Sequence, residues 1–269
     1  MKRFLSILMV LGVGVTATAH AAVTFVGQAA ANDGTNHALS AKAKFTITGS
    51  TLEIVLTNTD MSSVGYTNEW GLTGLFWDFR TSQNLTASTA TVASGSILNP
   101  AECNAGVNCS TETNVGGEFG YQKGSYNGGS PPNIGGYGIA SSGYLRGQAN
   151  FNGPDLDDPT ALDGPNFSIV GKNSSGIVSG NQPGVASIKE KVTFVLTGLT
   201  NVTEADIYNI RFQYGTDFSE SRFTGCLVGG PTCAPTIDPP FQTPEPTSLA
   251  LAGIALLGAT AARRRAKQA

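Results

Sequence analysis

Between Ala41 and Thr57 the chain repeats with a period of two, and that constrains its fold more than any other feature. Ala41, Ala43, Phe45 and Ile47 fall on one face, and Lys42, Lys44, Thr46 and Thr48 fall on the other. Gly49-Ser50 interrupts the pattern. Leu52, Ile54 and Leu56 then resume the apolar face, with Glu53 and Thr57 opposite. A period of two belongs to a half-buried strand, and two such runs around a two-residue turn predict a β-hairpin. Leu72 to Phe79, Val92 to Leu98, Glu118 to Tyr121, Gly138 to Ala140, Phe167 to Val170, Ser187 to Leu196 and Ile207 to Thr216 are further expected strands.

Composition agrees with an all-β chain. Only 13% of residues are charged, and 34 are glycine, so runs of strong helix formers are scarce while turn residues abound. The centre, from Asn99 to Asn181, is rich in Gly-Gly and Pro-Pro pairs and reads as long loops. No fixed period emerges there, which excludes a repeat array. Strands early and late around a loop-rich centre predict an antiparallel β-sandwich in which N- and C-terminal strands pair. A jelly roll is the expected architecture.

Both ends read as signals. Lys2 and Arg3 precede the apolar run Phe4 to Val15, and Ala19-His20-Ala21 gives a small-x-small site, which together predict a signal peptide over 1–21. Cleavage by signal peptidase is expected after Ala21, with Ala19 the alternative. Residues 22–230 form the expected extracellular domain, and 231–243 a proline-rich linker. At the other end, Pro244, Glu245 and Pro246 lead into an uncharged stretch over 247–262, followed by Arg263, Arg264 and Arg265. That stretch, about 16 residues, falls just short of the roughly 17–25 of a spanning helix. At 1.5 Å per residue it reaches about 24 Å, and snorkelling arginines make up part of the difference. Such a helix suits a temporary inner-membrane anchor, with the arginine tail in the cytoplasm.

The order Pro-Glu-Pro, short apolar helix, arginine cluster resembles the PEP-CTERM sorting signal, here over 244–269. The resemblance implies processing by an exosortase, a membrane transpeptidase-like enzyme with a catalytic cysteine. It also implies release to the cell surface or the extracellular polymeric substance of a Gram-negative bacterium. Three interior segments, Gly71 to Asp78, Leu162 to Phe167 and Asn209 to Thr216, look like the body of one group of exosortase-dependent surface proteins. That group supplies no catalytic residue.

Without Lys2, Arg3, Arg263, Arg264, Arg265 and Lys267, 10 of the 16 basic residues remain. Without Glu245, 18 of the 19 acidic residues remain, leaving the domain near −8. Such a charge repels nucleic acid, so a nucleic-acid partner is not expected. The four cysteines form two close pairs, Cys103 with Cys109 and Cys226 with Cys233. In an oxidising compartment these are expected disulfides, local pairing being the simplest of three connectivities. Zinc is disfavoured by the loose spacing and by the single histidine of the domain, His37.

Asp155, Asp157, Asp158 and Asp163 sit in a glycine- and proline-bounded loop, where carboxylates could hold calcium, the one cofactor considered. The alternative is a solvated acidic turn, and the spacing is not that of an EF-hand. The same carboxylates, with Glu112 and Glu118, are the candidates for a secreted glycan hydrolase, which requires two carboxyls flanking a bond. A Ser-His-Asp triad could use only His37, and no G-x-S-x-G elbow accompanies it. Flat rings stack on sugars, so Trp70 and Tyr126 are candidates for binding extracellular polysaccharide, with Tyr121, Tyr137 and Tyr144 nearby in sequence. Trp77 is expected in the core. The expectation is therefore a non-enzymatic, exosortase-sorted surface or matrix protein, with a glycan-binding module as the alternative.

Overall fold

The hairpin is formed as the alternation requires. Strand β2 (Ala38–Thr48) pairs antiparallel with β3 (Thr51–Asn58), Thr48 stands opposite Thr51, and Gly49 makes the turn at φ +61°. A non-glycine residue is strained there, because Cβ crowds its own backbone. Ala41, Ala43, Phe45, Leu52, Ile54 and Leu56 are all buried. The structure is a computed structural model and describes residues 21–99, 113–124, 134–141, 144–145, 148–149, 156, 167–178 and 185–230.

The other strands are β1 (Ala22–Ala30), β4 (Leu72–Phe79), β5 (Thr86–Thr91), β6 (Ile97–Leu98), β7 (Gly120–Lys123), β8 (Tyr137–Ala140), β9 (Tyr144–Leu145), β10 (Gln148–Ala149), β11 (Ser168–Val170), β12 (Ser187–Lys189), β13 (Lys191–Thr197), β14 (Ile207–Tyr214), β15 (Arg222–Thr224) and β16 (Cys226–Leu227). The helical elements among the described residues are three-residue 3-10 turns. The chain is thus all-β. One sheet runs β16-β1-β2-β3-β13-β5; the other runs β15-β14-β4-β11-β12-β6, with β8 and then β7 paired onto β4. All described pairings of strands are antiparallel except β11 with β12.

The two sheets share one core. Phe45 of the first meets Trp77 of the second with ring centroids 6.0 Å apart, and Phe194 of the first meets Phe119 at 5.0 Å. Early and late strands pair as expected: β1 with β16, β3 with β13, and β4 with β14. Within the first sheet β1, β2 and β3 form a meander, and β16, the last described strand, returns beside β1.

Three expected strands are revised. Ser187 to Leu196 is not one strand but two, in different sheets. Glu190, at φ +73°, is the corner: its N–H donates to the Val170 carbonyl in one sheet, and its carbonyl accepts from the Asn58 N–H in the other. In β14 the alternation breaks at Asn209, at φ +54°, so Ile207 and Ile210 both point inward while Tyr208 faces solvent. A bulge of this kind adds a residue to one strand. The Asn209 amide donates to the Asp78 carboxylate at 2.6 Å, which holds it in place. Of the strand expected over Val92 to Leu98 only Ile97–Leu98, β6, forms, while β5 lies just before it and ends at Thr91.

Candidate functional site

The densest polar cluster lies at the open end of the β2–β3 hairpin. His37 immediately precedes β2, and Asp60 follows β3 by two residues. Antiparallel pairing therefore brings them together, and His37 Nε2 lies 2.7 Å from Asp60 Oδ2. Their side chains are only 11% and 6% exposed. Asp60 is the hub. The Tyr66 hydroxyl donates to Oδ2 at 2.5 Å, and the Ser62 N–H and hydroxyl both donate to Oδ1 at 2.8 and 2.7 Å.

Burial pushes the Asp60 carboxyl up, but the hydrogen bonds from Tyr66, Ser62 and His37 outweigh it and hold its pKa below the ordinary value. Burial, reinforced by the Asp60 carboxylate, drives the Tyr66 hydroxyl far above its usual range, so it stays a proton donor.

An aromatic wall backs the cluster. The Trp70 ring stacks on His37 with centroids 3.8 Å apart and planes 4° from parallel, and Tyr66 meets both rings edge-on. The Trp70 indole N–H donates to Asp33 Oδ2 at 2.7 Å. Burial pushes the Asp33 carboxyl up, but the bonds from Thr35 and Trp70 together outweigh it and lower its pKa.

Neighbouring loops close around this cluster. Tyr66 forms a bridge with Ile177, the Ser174 hydroxyl donates to the Val64 carbonyl, and the Asn173 amide donates to the Met61 carbonyl. The site thus locks the segment after β3 to the segment after β11.

This geometry is not that of a nucleophilic triad. A triad places histidine between serine and aspartate. Here Ser62 and His37 each bond the carboxylate, and Ser62 does not bond the ring. Among the described residues no group of three His, Cys, Asp or Glu side chains could hold a metal ion.

Of the residues expected to carry function, Trp70 joins this cluster, half-buried, with its N–H taken by Asp33 and its ring stacked on His37. Tyr121 and Tyr137 are buried, and Trp77 is fully so. Tyr126, the acidic residues 155, 157, 158 and 163, and Glu112 lie outside the described residues. Leu156, in the middle of the acidic run, is buried, and its N–H bonds the Gly116 and Phe119 carbonyls. Glu118 ends a 3-10 turn. Cys226 lies in β16, while cysteines 103, 109 and 233 lie outside the described residues, as do the signal peptide and everything beyond Gly230. No helix among the described residues is long and apolar enough to cross a membrane.

Sequence reasoning missed Asp60, Ser62 and Tyr66. The available signal was Asp60-x-Ser62, since an aspartate that caps the N–H two residues on is an Asx turn.

A family model for the PEP-CTERM protein-sorting motif matches residues 242–265. The chain carries this sorting motif. PEP-CTERM signals imply an exosortase as the sorting partner, and export in a Gram-negative bacterium. No curated protein and no solved structure matches the chain.

Proposed function

We propose that the chain is a non-catalytic structural protein of the cell surface or extracellular polymer, placed there by an exosortase. The observation that carries this reading is the PEP-CTERM motif at 242–265, set behind an all-β domain. Removal of the signal peptide after Ala21 would leave a mature chain that begins at the first residue of β1, Ala22. The Asp60 cluster supports a structural role, because its carboxylate is consumed in holding two loops together. Disulfides within the two cysteine pairs and calcium at the 155–163 aspartates belong to the same proposal, as devices that stiffen an exported domain.

The test is fractionation of cells with and without exosortase. The expected result is protein in the medium and surface fractions of the parent, and retention at the inner membrane without exosortase. Membrane retention in both strains would overturn the reading, as would replacement of Arg263, Arg264 and Arg265 by Ala with no change in distribution. Amino-terminal sequencing of the released protein is expected to start at Ala22.

A further inference from the structure

The outer face of the six-stranded sheet has a chemistry unlike the rest of the domain. Opposite-strand register places Val26, Lys42, Thr57 and Lys191 in one row across β1, β2, β3 and β13. The next row runs Thr24, Lys44, Val55, Thr193, Thr91. Thr48, Thr51, Thr197 and Thr86 form another. Three lysines therefore stand on one face against a single carboxylate, Glu53, in a domain whose overall charge is near −8. Lys44 and Lys191 are exposed, and among the described residues none of the three forms an ion pair.

Lysine on an edge strand guards against aggregation. That explanation does not serve here, because β2 and β13 are interior strands of the sheet. Strand geometry sets the spacing: Lys42 and Lys44 are about 6.7 Å apart along β2, and Lys42 and Lys191 about 9.6 Å apart across two strand intervals.

A groove of about 340 Å³ adjoins this row. Its lining includes Val26 and Gln28 of β1, Ser40 of β2, Thr59 and Thr224. Val26 is the register partner of Lys42, and Ser40 lies two residues before Lys42 on the same face. The groove volume is at the lower end of small-ligand sites; the Thr59 hydroxyl donates to Ser40 Oγ within it, and the exposed Gln28 amide is a group that hydrogen-bonds polyols. The geometry points to this face, with its groove, as a binding platform for an anionic polysaccharide: sugar hydroxyls in the groove, and carboxylates of the extended chain on Lys42, Lys44 and Lys191.

Other partners fit the face less well. Protein interfaces are enriched in aromatic side chains and depleted in lysine, whereas this face has lysine and no outward aromatic ring on β1, β2, β3, β13 or β5. Single-stranded nucleic acid also calls for aromatic stacking. The domain's distant carboxylates do not veto an anionic ligand. At about 0.15 M salt the screening length is about 8 Å, so a chain lying on the sheet senses the lysines first. The inference rests on extracellular deployment, but its test uses purified protein and does not depend on exosortase.

The experiment is affinity electrophoresis of the released protein in gels containing alginate, with neutral dextran as the control and phosphatidylglycerol vesicles in a parallel flotation assay. Retardation by alginate and not by dextran is expected, fading as salt rises from about 0.05 to about 0.5 M. The triple variant K42Q/K44Q/K191Q should lose roughly tenfold or more in affinity, while K123Q, on β7 of the other sheet, should not. Val26→Trp, which fills the groove, should weaken binding with the lysines intact. Unchanged melting temperatures would show that each variant folds. Equal retardation of the triple variant would overturn the inference, as would equal retardation by dextran. Preference for the vesicles over alginate would overturn it in favour of a lipid surface.

Discussion

Asp60 offers the sharpest quantitative test of the fold. It accepts hydrogen bonds from Tyr66, Ser62 and His37 while 6% exposed, so its removal leaves several buried polar groups unpaired. A hydrogen bond to a charged group contributes about 1.5–3 kcal/mol, and each buried donor left without its acceptor costs about 1–3 kcal/mol. Asp60→Ala should therefore lose about 3–5 kcal/mol. Asp60→Asn keeps the shape and the contacts to Ser62 but surrenders the charge, and should lose about 2–3 kcal/mol.

In a domain of this size 1 kcal/mol moves the melting temperature by about 2–4 °C, so Asp60→Ala should melt about 6–20 °C lower. Urea unfolding at neutral pH measures the free energies directly. The pH dependence isolates the charge. The folded pKa of Asp60 lies below its unfolded value, about 3.9, so its contribution is complete above that value. It is lost as pH falls through the lower folded pKa. The gap between wild type and Asp60→Asn should thus be flat from about pH 5 upward and narrow below about pH 4. A gap under about 0.5 kcal/mol at pH 7, or one that does not change with pH, would refute the reasoning.

Two further substitutions probe the surroundings. Gly171→Ala would put a Cβ against the Asp60 carbonyl oxygen and 2.5 Å from the Tyr66 hydroxyl oxygen, so it should cost about 1–3 kcal/mol by urea unfolding. Trp77→Ala removes a fully buried ring packed against Phe45 and Tyr137, and should cost about 3–5 kcal/mol by the same measurement.

The sequence disclosed the fold where side chains alternate and the backbone stays regular. Ala41 to Leu56 was fully legible, because both strands bury one face and a two-residue turn fixes their register. β1 was not: of its nine residues only Phe25 is buried, so no alternation marks it. The corner at Glu190 was also hidden, since apolar residues continue through it while the chain changes sheets. Nothing in a glutamate announces φ +73°. Asn209 hid its bulge in the same way, although asparagine is among the residues that tolerate a left-handed backbone. At the site, Trp70 was named as a candidate and lies within the cluster, but its neighbours His37, Asp60 and Tyr66 are brought together by strand pairing across 29 residues. Local pattern cannot display such a contact.

The Asp60 cluster and the lysine face are two ends of one constraint. A strand shows every second residue to each side, so a one-residue slip of β2 would bury Lys42 and Lys44 and expose Ala43 and Phe45. The Gly49-Ser50 turn prevents that slip at the closed end of the hairpin. At the open end, where fraying would begin, the His37–Asp60 contact joins the residues flanking the two strands, and the Thr59 N–H bonds the Ser40 carbonyl between them. The buried polar groups therefore specify register as well as adding stability. Hydrophobic contacts tolerate sliding, and a histidine bonded to one carboxylate oxygen does not. The contacts at the open end of the hairpin thus help keep the alternation of lysine and threonine facing outward.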